Sequence, residues 1–252
     1  MRYLYSATRR SLGIVALVGC AANTRPTAPA PGVVERLIPG RGEIEPPAFG
    51  GATTVAVFMK RPDDSTARRV GAFTISETVT SSAGARVVLV RAWPKPFSSI
   101  DTLAIDPRTL EPRDEALAFN GSVFRYHYHG SRVTGTVTSL DSAPQPYDHD
   151  FGEPLFAFNE VETLVRSLAF HRGLNVVVPL FSETDRALER DTLTVLDRQK
   201  TSDGFIRWVV RFADPAIATR YVVDARSRTI LDATTTQRAS HVELQYRYAG
   251  AG

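Results

Sequence analysis

Phe124-Arg125-Tyr126-His127-Tyr128-His129 decides the fold class. Successive side chains of a β-strand point to opposite faces. This order therefore places Phe124, Tyr126 and Tyr128 on one face and Arg125, His127 and His129 on the other. A helix would scatter both sets around its surface. Val242-Glu243-Leu244-Gln245-Tyr246-Arg247-Tyr248 alternates in the same way, and Val133, Gly135 and Val137 alternate with Thr134, Thr136 and Thr138. Working outward, further strands are predicted near 53–60, 70–80, 85–93, 100–106, 112–119, 174–181, 191–200, 204–213, 218–224 and 228–236. Gly, Pro, Asp and Asn punctuate them. Short, closely spaced strands of this kind suit an antiparallel meander, sandwich or barrel. The fold class is mainly β, an antiparallel curved sheet or incompletely closed barrel.

One segment has a different period. Val161, Leu164, Val165 and Leu168 recur at helical spacing. Asn159 is placed as an N-cap, with Glu162 to complete a capping box and Gly173 to stop the run. A single central helix over about 159–171 is predicted. Several strands are apolar on both faces: Val87-Val88-Leu89-Val90, Val176-Val177-Val178 and Phe205-Ile206-Arg207-Trp208-Val209-Val210. Such a strand is buried on both sides or lines an apolar hollow. In the second case the wall draws on Leu89, Trp93, Phe124, Tyr126, Tyr128, Leu164, Leu168, Val178, Trp208 and Val210, with residues 93–97 as a rim. In the first case the same residues are a packed core.

The chain has one cysteine, Cys20, at the end of Leu17-Val18-Gly19-Cys20. Arg2, Arg9 and Arg10 precede a short apolar run, and no acidic residue occurs before Cys20. The layout resembles a bacterial lipoprotein signal peptide, which implies removal of residues 1–19 and lipidation of Cys20. An ordinary signal peptide cleaved nearby is the competing reading. The apolar run at 12–19 is far short of the ~20 residues a membrane-spanning helix needs. Ala21, rather than Asp, follows the cysteine. In the lipoproteins this resembles, that implies the periplasmic face of the outer membrane. Thr8-Arg9-Arg10-Ser11-Leu12 also has a faint likeness to a twin-arginine export signal.

Processing changes the charge balance. The precursor has 30 basic and 27 acidic side chains. Loss of Arg2, Arg9 and Arg10 leaves 27 of each, so no basic footprint argues for nucleic acid. Residues 20–51 are rich in Pro and Gly and are predicted to be a tether, with residues 33–38 as an apolar patch able to dock. A single β-rich domain is expected over 52–249.

Two turn phrases echo each other: Leu103-Ala104-Ile105-Asp106-Pro107-Arg108-Thr109-Leu110 and Tyr221-Val222-Val223-Asp224-Ala225-Arg226-Ser227-Arg228-Thr229-Ile230. Asp at the head of a turn accepts backbone N–H groups ahead of it, which explains both without function. The phrases at 101–112 and 220–231, with Phe158-Asn159 before the helix, resemble a family of exported bacterial domains. That family is similar in architecture to periplasmic lipoprotein-localisation factors and related lipid-binding proteins. The resemblance implies an incompletely closed β-barrel around a helix, with an apolar cavity. The family has no agreed catalytic residues, so the resemblance transfers no site.

His127 and His129 lie about 7 Å apart along one strand face. With His149 and its neighbours Asp148 and Asp150, expected in the next loop, they form a candidate zinc set. Arg125 shares the histidine face, which favours a solvated surface instead. No G-x-S-x-G, H-E-x-x-H, phosphate loop or dinucleotide fingerprint occurs. The expectation is a non-catalytic, cofactor-free, membrane-anchored envelope protein that holds a lipid or apolar ligand. The alternatives are a scaffold contacting another envelope protein, and a metal-dependent hydrolase at His127 and His129.

Overall fold

Sixteen strands form one sheet: β1 (Glu35–Arg36), β2 (Gly51–Lys60), β3 (Arg68–Thr80), β4 (Arg86–Trp93), β5 (Ser99–Ile105), β6 (Pro112–Phe119), β7 (Ser122–His129), β8 (Arg132–Thr138), β9 (Gln145–Asp150), β10 (Phe156–Ala157), β11 (Asn175–Ser182), β12 (Ala187–Lys200), β13 (Ile206–Ala213), β14 (Ile217–Asp224), β15 (Ile230–Gln237) and β16 (Glu243–Tyr248). The computed structural model describes residues 35–40, 44–80, 86–94, 98–140, 142–202 and 204–249. The expected signal peptide, Cys20, the expected 93–97 rim beyond Pro94 and most of the expected tether lie outside the described residues. No helix among the described residues is long and apolar enough to cross a membrane.

The chain makes two antiparallel meanders, β2 to β9 and β11 to β16. β16 pairs with β2, with Tyr246 opposite Val57, and this joins them into one sheet. β9 ends the sheet on one side; on the other, the short strands β1 and β10 pair with β11, and no ladder among the described residues connects that end with β9. The architecture is therefore the curved, incompletely closed sheet that the alternation implies. Aromatic contacts hold the seam instead of backbone bonds. Phe181 of β11 meets Tyr126 at 5.0 Å, Phe151 at 5.7 Å and Tyr147 at 6.0 Å between ring centroids. The Tyr126 hydroxyl donates to the Glu183 carbonyl at 2.8 Å.

Alternation builds the core. Phe124, Tyr126 and Tyr128 are buried, while Arg125, His127 and His129 are exposed. Asn120 and Gly121, both at positive φ, form a two-residue hairpin that suits the strand twist. At Gly135 an added Cβ would lie 1.9 Å from the Arg125 carbonyl oxygen, so β8 can pack only with glycine there.

Two expectations need correction. The helix is shorter than 159–171: a 3-10 turn at Phe158–Glu160 leads into α1, Val161–Ser167. Leu168 is already extended and bridges Ile44. Asn159 is not the cap. Its side chain is buried and donates to Glu115, while Glu160 Oε1 accepts the Ala157 N–H at 3.0 Å. Most of α1 is buried, so enclosure by the sheet, rather than capping residues, sets its ends.

Second, Asp148-His149-Asp150 belongs to β9 and is not a loop. Pro146 and the charged residues disguise it in sequence, and they are tolerated because β9 is an edge strand. The described part of the apolar patch at 33–38 docks against the sheet, from Glu35 onward. β1 pairs in parallel with β11, Leu37 is 2% exposed, and the Glu45 N–H donates to the Ser167 carbonyl at 2.6 Å. Burying one leucine contributes about 1.5–3 kcal/mol, enough to order a short segment that makes backbone bonds as well.

Candidate functional site

Four charged side chains stand on the inward phase of their strands. Glu77 follows Phe73 and Ile75 on β3, and Arg91 lies between Leu89 and Trp93 on β4. Asp101 lies between Ser99 and Leu103 on β5, and Glu115 precedes Leu117 on β6. Period two aims each of them at the interior, where α1 brings Asn159, Glu162 and Arg166 to meet them. The signal is visible in sequence as a charge in the apolar register of an alternating strand. The reading above passed over it because it followed the apolar residues.

These groups surround a cavity of about 240 Å³ between sheet and helix. Glu77, Arg91, Asp101, Asn159, Glu162 and Arg166 line it beside Ile75, Leu89, Leu103, Ile230 and Tyr248. Ala48, Gly50 and Gly51 of the N-terminal segment, with Ser227 and Thr229 of the β14–β15 turn, complete the wall. The turn is held by Asp224 Oδ1, which accepts the N–H groups of Arg226 at 3.0 Å and Ser227 at 2.7 Å. Its echo is the same device: Asp106 Oδ1 accepts from Arg108 at 2.9 Å and Thr109 at 3.1 Å.

Two ion pairs cross the cavity wall. Arg166 pairs with Glu77 and also donates to the Arg228 carbonyl at 3.1 Å and the Ala48 carbonyl at 3.2 Å. Glu77 Oε2 accepts the Gly50 N–H at 3.2 Å, so this pair ties the N-terminal segment to the helix and sheet. Arg91 Nη2 donates to Glu162 Oε2 at 3.0 Å, and the Tyr248 hydroxyl donates to Glu162 Oε1 at 2.9 Å.

Asp101 belongs to neither pair. It is 5% exposed and stands opposite Arg91 in the β4–β5 register. Its carboxyl shares a hydrogen bond with Glu115. Burial, then the nearby Glu183 carboxylate, raise the Asp101 pKa against the pull of Arg91, pushing it up to about 7. Burial, Glu183 and Asp101 likewise hold Glu115 well above the usual carboxylate range. The Tyr128 hydroxyl at 2.5 Å and the Asn159 amide at 3.0 Å oppose this. Two buried carboxyl groups in contact share a proton rather than ionise together.

Asp101 Oδ1 and Arg91 Nε, in two of the lining residues, are buried without a hydrogen-bond partner among the described residues. A buried acceptor or donor left unmade costs about 1–3 kcal/mol, more when charged. Only Asp101 of the carboxyl pair lines the cavity; Glu115 sits behind it. The pair thus does not present two carboxyls to one water, as an acid-dyad hydrolase does.

The expected apolar wall is dispersed. Leu89 borders this cavity. Trp93 borders a hollow of about 20 Å³ with Phe73 and Phe158. Trp208 borders an open groove, stacked on Phe170 at 5.7 Å. Phe124, Tyr126, Tyr128, Leu164, Leu168, Val178 and Val210 lie in the packed core. The 240 Å³ cavity beside the helix is charged because the inward-phase Arg91, Asp101 and Glu77 converge there.

His127 and His129 lie on the outer face. His127 Nδ1 is 2.7 Å from Asp114 Oδ1, and Asp148 binds Arg132 through two bonds of 2.7 and 2.5 Å. His149 pairs with Val133, which pairs with Tyr128, so it lies on the face opposite His127 and stacks against Phe151 at 4.4 Å. No group of three metal-ligating side chains occurs among the described residues. The chain matches no protein family, no curated protein and no solved structure.

Proposed function

We propose that this chain is an envelope lipoprotein, anchored through Cys20, whose β-domain binds a small polar ligand in the cavity between sheet and helix. The observation that carries the reading is a cavity of about 240 Å³ walled by five charged side chains, Glu77, Arg91, Asp101, Glu162 and Arg166, among the described residues. At about 240 Å³ the space lies just below the range of about 300–1,000 Å³ usual for drug-sized ligands. It suits a small solute, or the polar head of a lipid, rather than acyl chains. This refines the expected apolar ligand. The anchor supplies location and the cavity supplies recognition, with no catalytic step.

The test is thermal denaturation of the full chain carrying Cys20→Ala, which stays free of lipid. The solutes screened are small carboxylates, polyols, amino alcohols and amino acids. Binding to the folded state raises Tm by mass action, by an amount set by ligand concentration over Kd. The expected outcome is stabilisation by at least one class, abolished by Leu103→Trp, which fills the cavity. Stabilisation that survives Leu103→Trp places the ligand elsewhere and refutes the reading.

A further inference from the structure

We propose that the hairpin joining β12 to β13 is a membrane-docking surface, seating Phe205 and Leu196 in the headgroup layer of a phospholipid bilayer and setting Arg198 and Lys200 against its phosphates. This rests on the anchored-envelope reading above and adds the orientation of the domain on its anchor. The first observation is where the chain enters the fold. β1 runs parallel to β11, with Glu35 opposite Val176, so it enters the sheet from the Asn175 end of β11. Cys20 stands fifteen positions before Glu35, and a chain of that length spans at most roughly 50 Å. The end of the sheet nearest an anchor at Cys20 is therefore this one. The β12–β13 hairpin projects at the same end. Thr194 pairs with Asn175, and β12 continues for six residues to Lys200, about 20 Å further at the rise of a strand. The β14–β15 turn is level with it, since the Ala225 N–H donates to the Ile206 carbonyl at 2.9 Å. Gly51, Ser227 and Thr229 of the cavity wall belong to this end too, so docking sets the cavity beside the headgroups.

The second observation is what the hairpin carries. Phe205 is 55% exposed and Leu196 is 41% exposed. Behind them Trp208 stacks on Phe170 along an open groove, and the Arg198 guanidinium lies 6.0 Å from the centre of the Trp208 ring. Arg198 is the register partner of Trp208 and Lys200 of Ile206, so both cations share the face of the groove. Arg172 is paired with Asp197 at 3.8 Å, and Arg207 stands opposite Asp224. Arg198 and Lys200 form no ion pair among the described residues; Asp203, the other acid of the hairpin, lies outside them. Aromatic and aliphatic side chains flanked by Arg and Lys partition into the headgroup layer, with the apolar groups deeper and the cations at the phosphates. Without an anchor so small a surface binds weakly and reversibly, and the tether at Cys20 is what holds it in place.

The test couples the lone thiol, Cys20, of the full chain to maleimide-bearing phosphatidylethanolamine in vesicles of phosphatidylethanolamine and phosphatidylglycerol. Coupling imposes the anchor, so a failure to dock is distinct from a failure of lipidation in a host, which the mass of the protein reports. Phe205→Trp and Leu140→Trp are the reporters. Leu140 is 74% exposed and follows β8 at the opposite end of the sheet, where Thr138 pairs with Val123. Both substitutions fall at exposed positions, and the emission of the parent, from Trp93 and Trp208, is subtracted. Lipids brominated high on their acyl chains quench tryptophan by contact. The expected result is a blue shift of the Phe205→Trp emission, with quenching about threefold or more above that of Leu140→Trp. Adding Arg198→Gln and Lys200→Gln together, or raising the salt concentration, should reduce that quenching. Equal quenching at the two positions, or none at Phe205→Trp, overturns the docking surface while leaving the polar-ligand cavity standing. Quenching unchanged by the paired glutamines and by salt overturns the contact of Arg198 and Lys200 with phosphate.

Discussion

Replacing Asp101 with asparagine should flatten the dependence of stability on pH. Burial and the Glu183 carboxylate raise Asp101 from an ordinary 3.8 to about 7 against Arg91. At about 1.4 kcal/mol per unit, a shift of about three units makes ionising Asp101 cost on the order of 4 kcal/mol of folding free energy. Because the folded value lies above the unfolded one, the stabilising contribution is full below pH 3.8, where both states hold the proton. It declines as pH rises and is lost once pH passes about 7. Between pH 5 and pH 8 the loss through this one group integrates to about 3 kcal/mol. Glu115 and Glu160 are also raised, chiefly by burial, and push in the same direction. Glu160 is the same in both proteins, whereas Glu115 is raised in part by Asp101, so the difference between variants reports the coupled Asp101–Glu115 pair. The assay is equilibrium urea unfolding of the Cys20→Ala chain, with and without Asp101→Asn, at pH 5, 6, 7 and 8. The parent should lose about 3 kcal/mol more than the variant across that range. Parallel profiles, or a parent that gains stability towards pH 8, would refute the picture of a buried, proton-sharing carboxyl.

Four further outcomes are expected. Gly135→Ala should cost at least about 1–3 kcal/mol by urea unfolding, because its Cβ meets rigid backbone at Arg125. Leu37→Ala should lose about 2–5 kcal/mol, with faster hydrogen exchange at the Leu37 amide that now donates to the Val177 carbonyl at 2.9 Å. Asp224→Ala should lose about 1 kcal/mol or more at neutral pH. Burial works to raise the Asp224 carboxyl, but the Ser227 and Arg226 donors outweigh it and hold it below 3.8, so its contribution is present above that pH and is lost on acidification. The deficit of the variant relative to the parent should accordingly shrink between pH 5 and pH 2. Expressed in a bacterial host, the parent chain should fractionate with membranes and carry added lipid mass, and Cys20→Ala should do neither; a soluble parent of unmodified mass would sink the anchor proposal.

Strand-level legibility followed the strength of alternation. The stretch at 124–129 was readable to the residue because aromatic and charged side chains keep strict phase. β9 was not, because an edge strand has half its backbone unpaired and tolerates Pro146 and a run of charge. The helix was misread at both ends. Asn159 and Gly173 are good local punctuation, yet α1 is enclosed by the sheet and stops where Leu168 meets Ile44. The turns at Asp106 and Asp224 were legible in full, since a side-chain acceptor and two N–H donors within four residues need nothing from the rest of the fold.

The candidate site was half written in the strands. Arg91, Asp101 and Glu115 occupy the apolar phase, and counting by two from Leu89, Leu103 and Leu117 places each indoors. What no local pattern reveals is which charges meet. Glu77 and Arg166 are 89 positions apart, and Arg91 and Glu162 are 71 apart. Their pairing depends on β16 closing onto β2 and on α1 crossing the interior.

By itself the sequence determined the alternation, the hairpins, the Asp-headed turns and the lone cysteine behind an apolar run. Each is set by neighbours within a few residues, through backbone geometry or local hydrogen bonds. Only the tertiary structure decided that Asp101 is the unmatched charge of the cavity. Burial and pairing are properties of the whole enclosure: Asp101 favours a proton because of burial and of Glu183, against Arg91, and these groups come from distant parts of the chain.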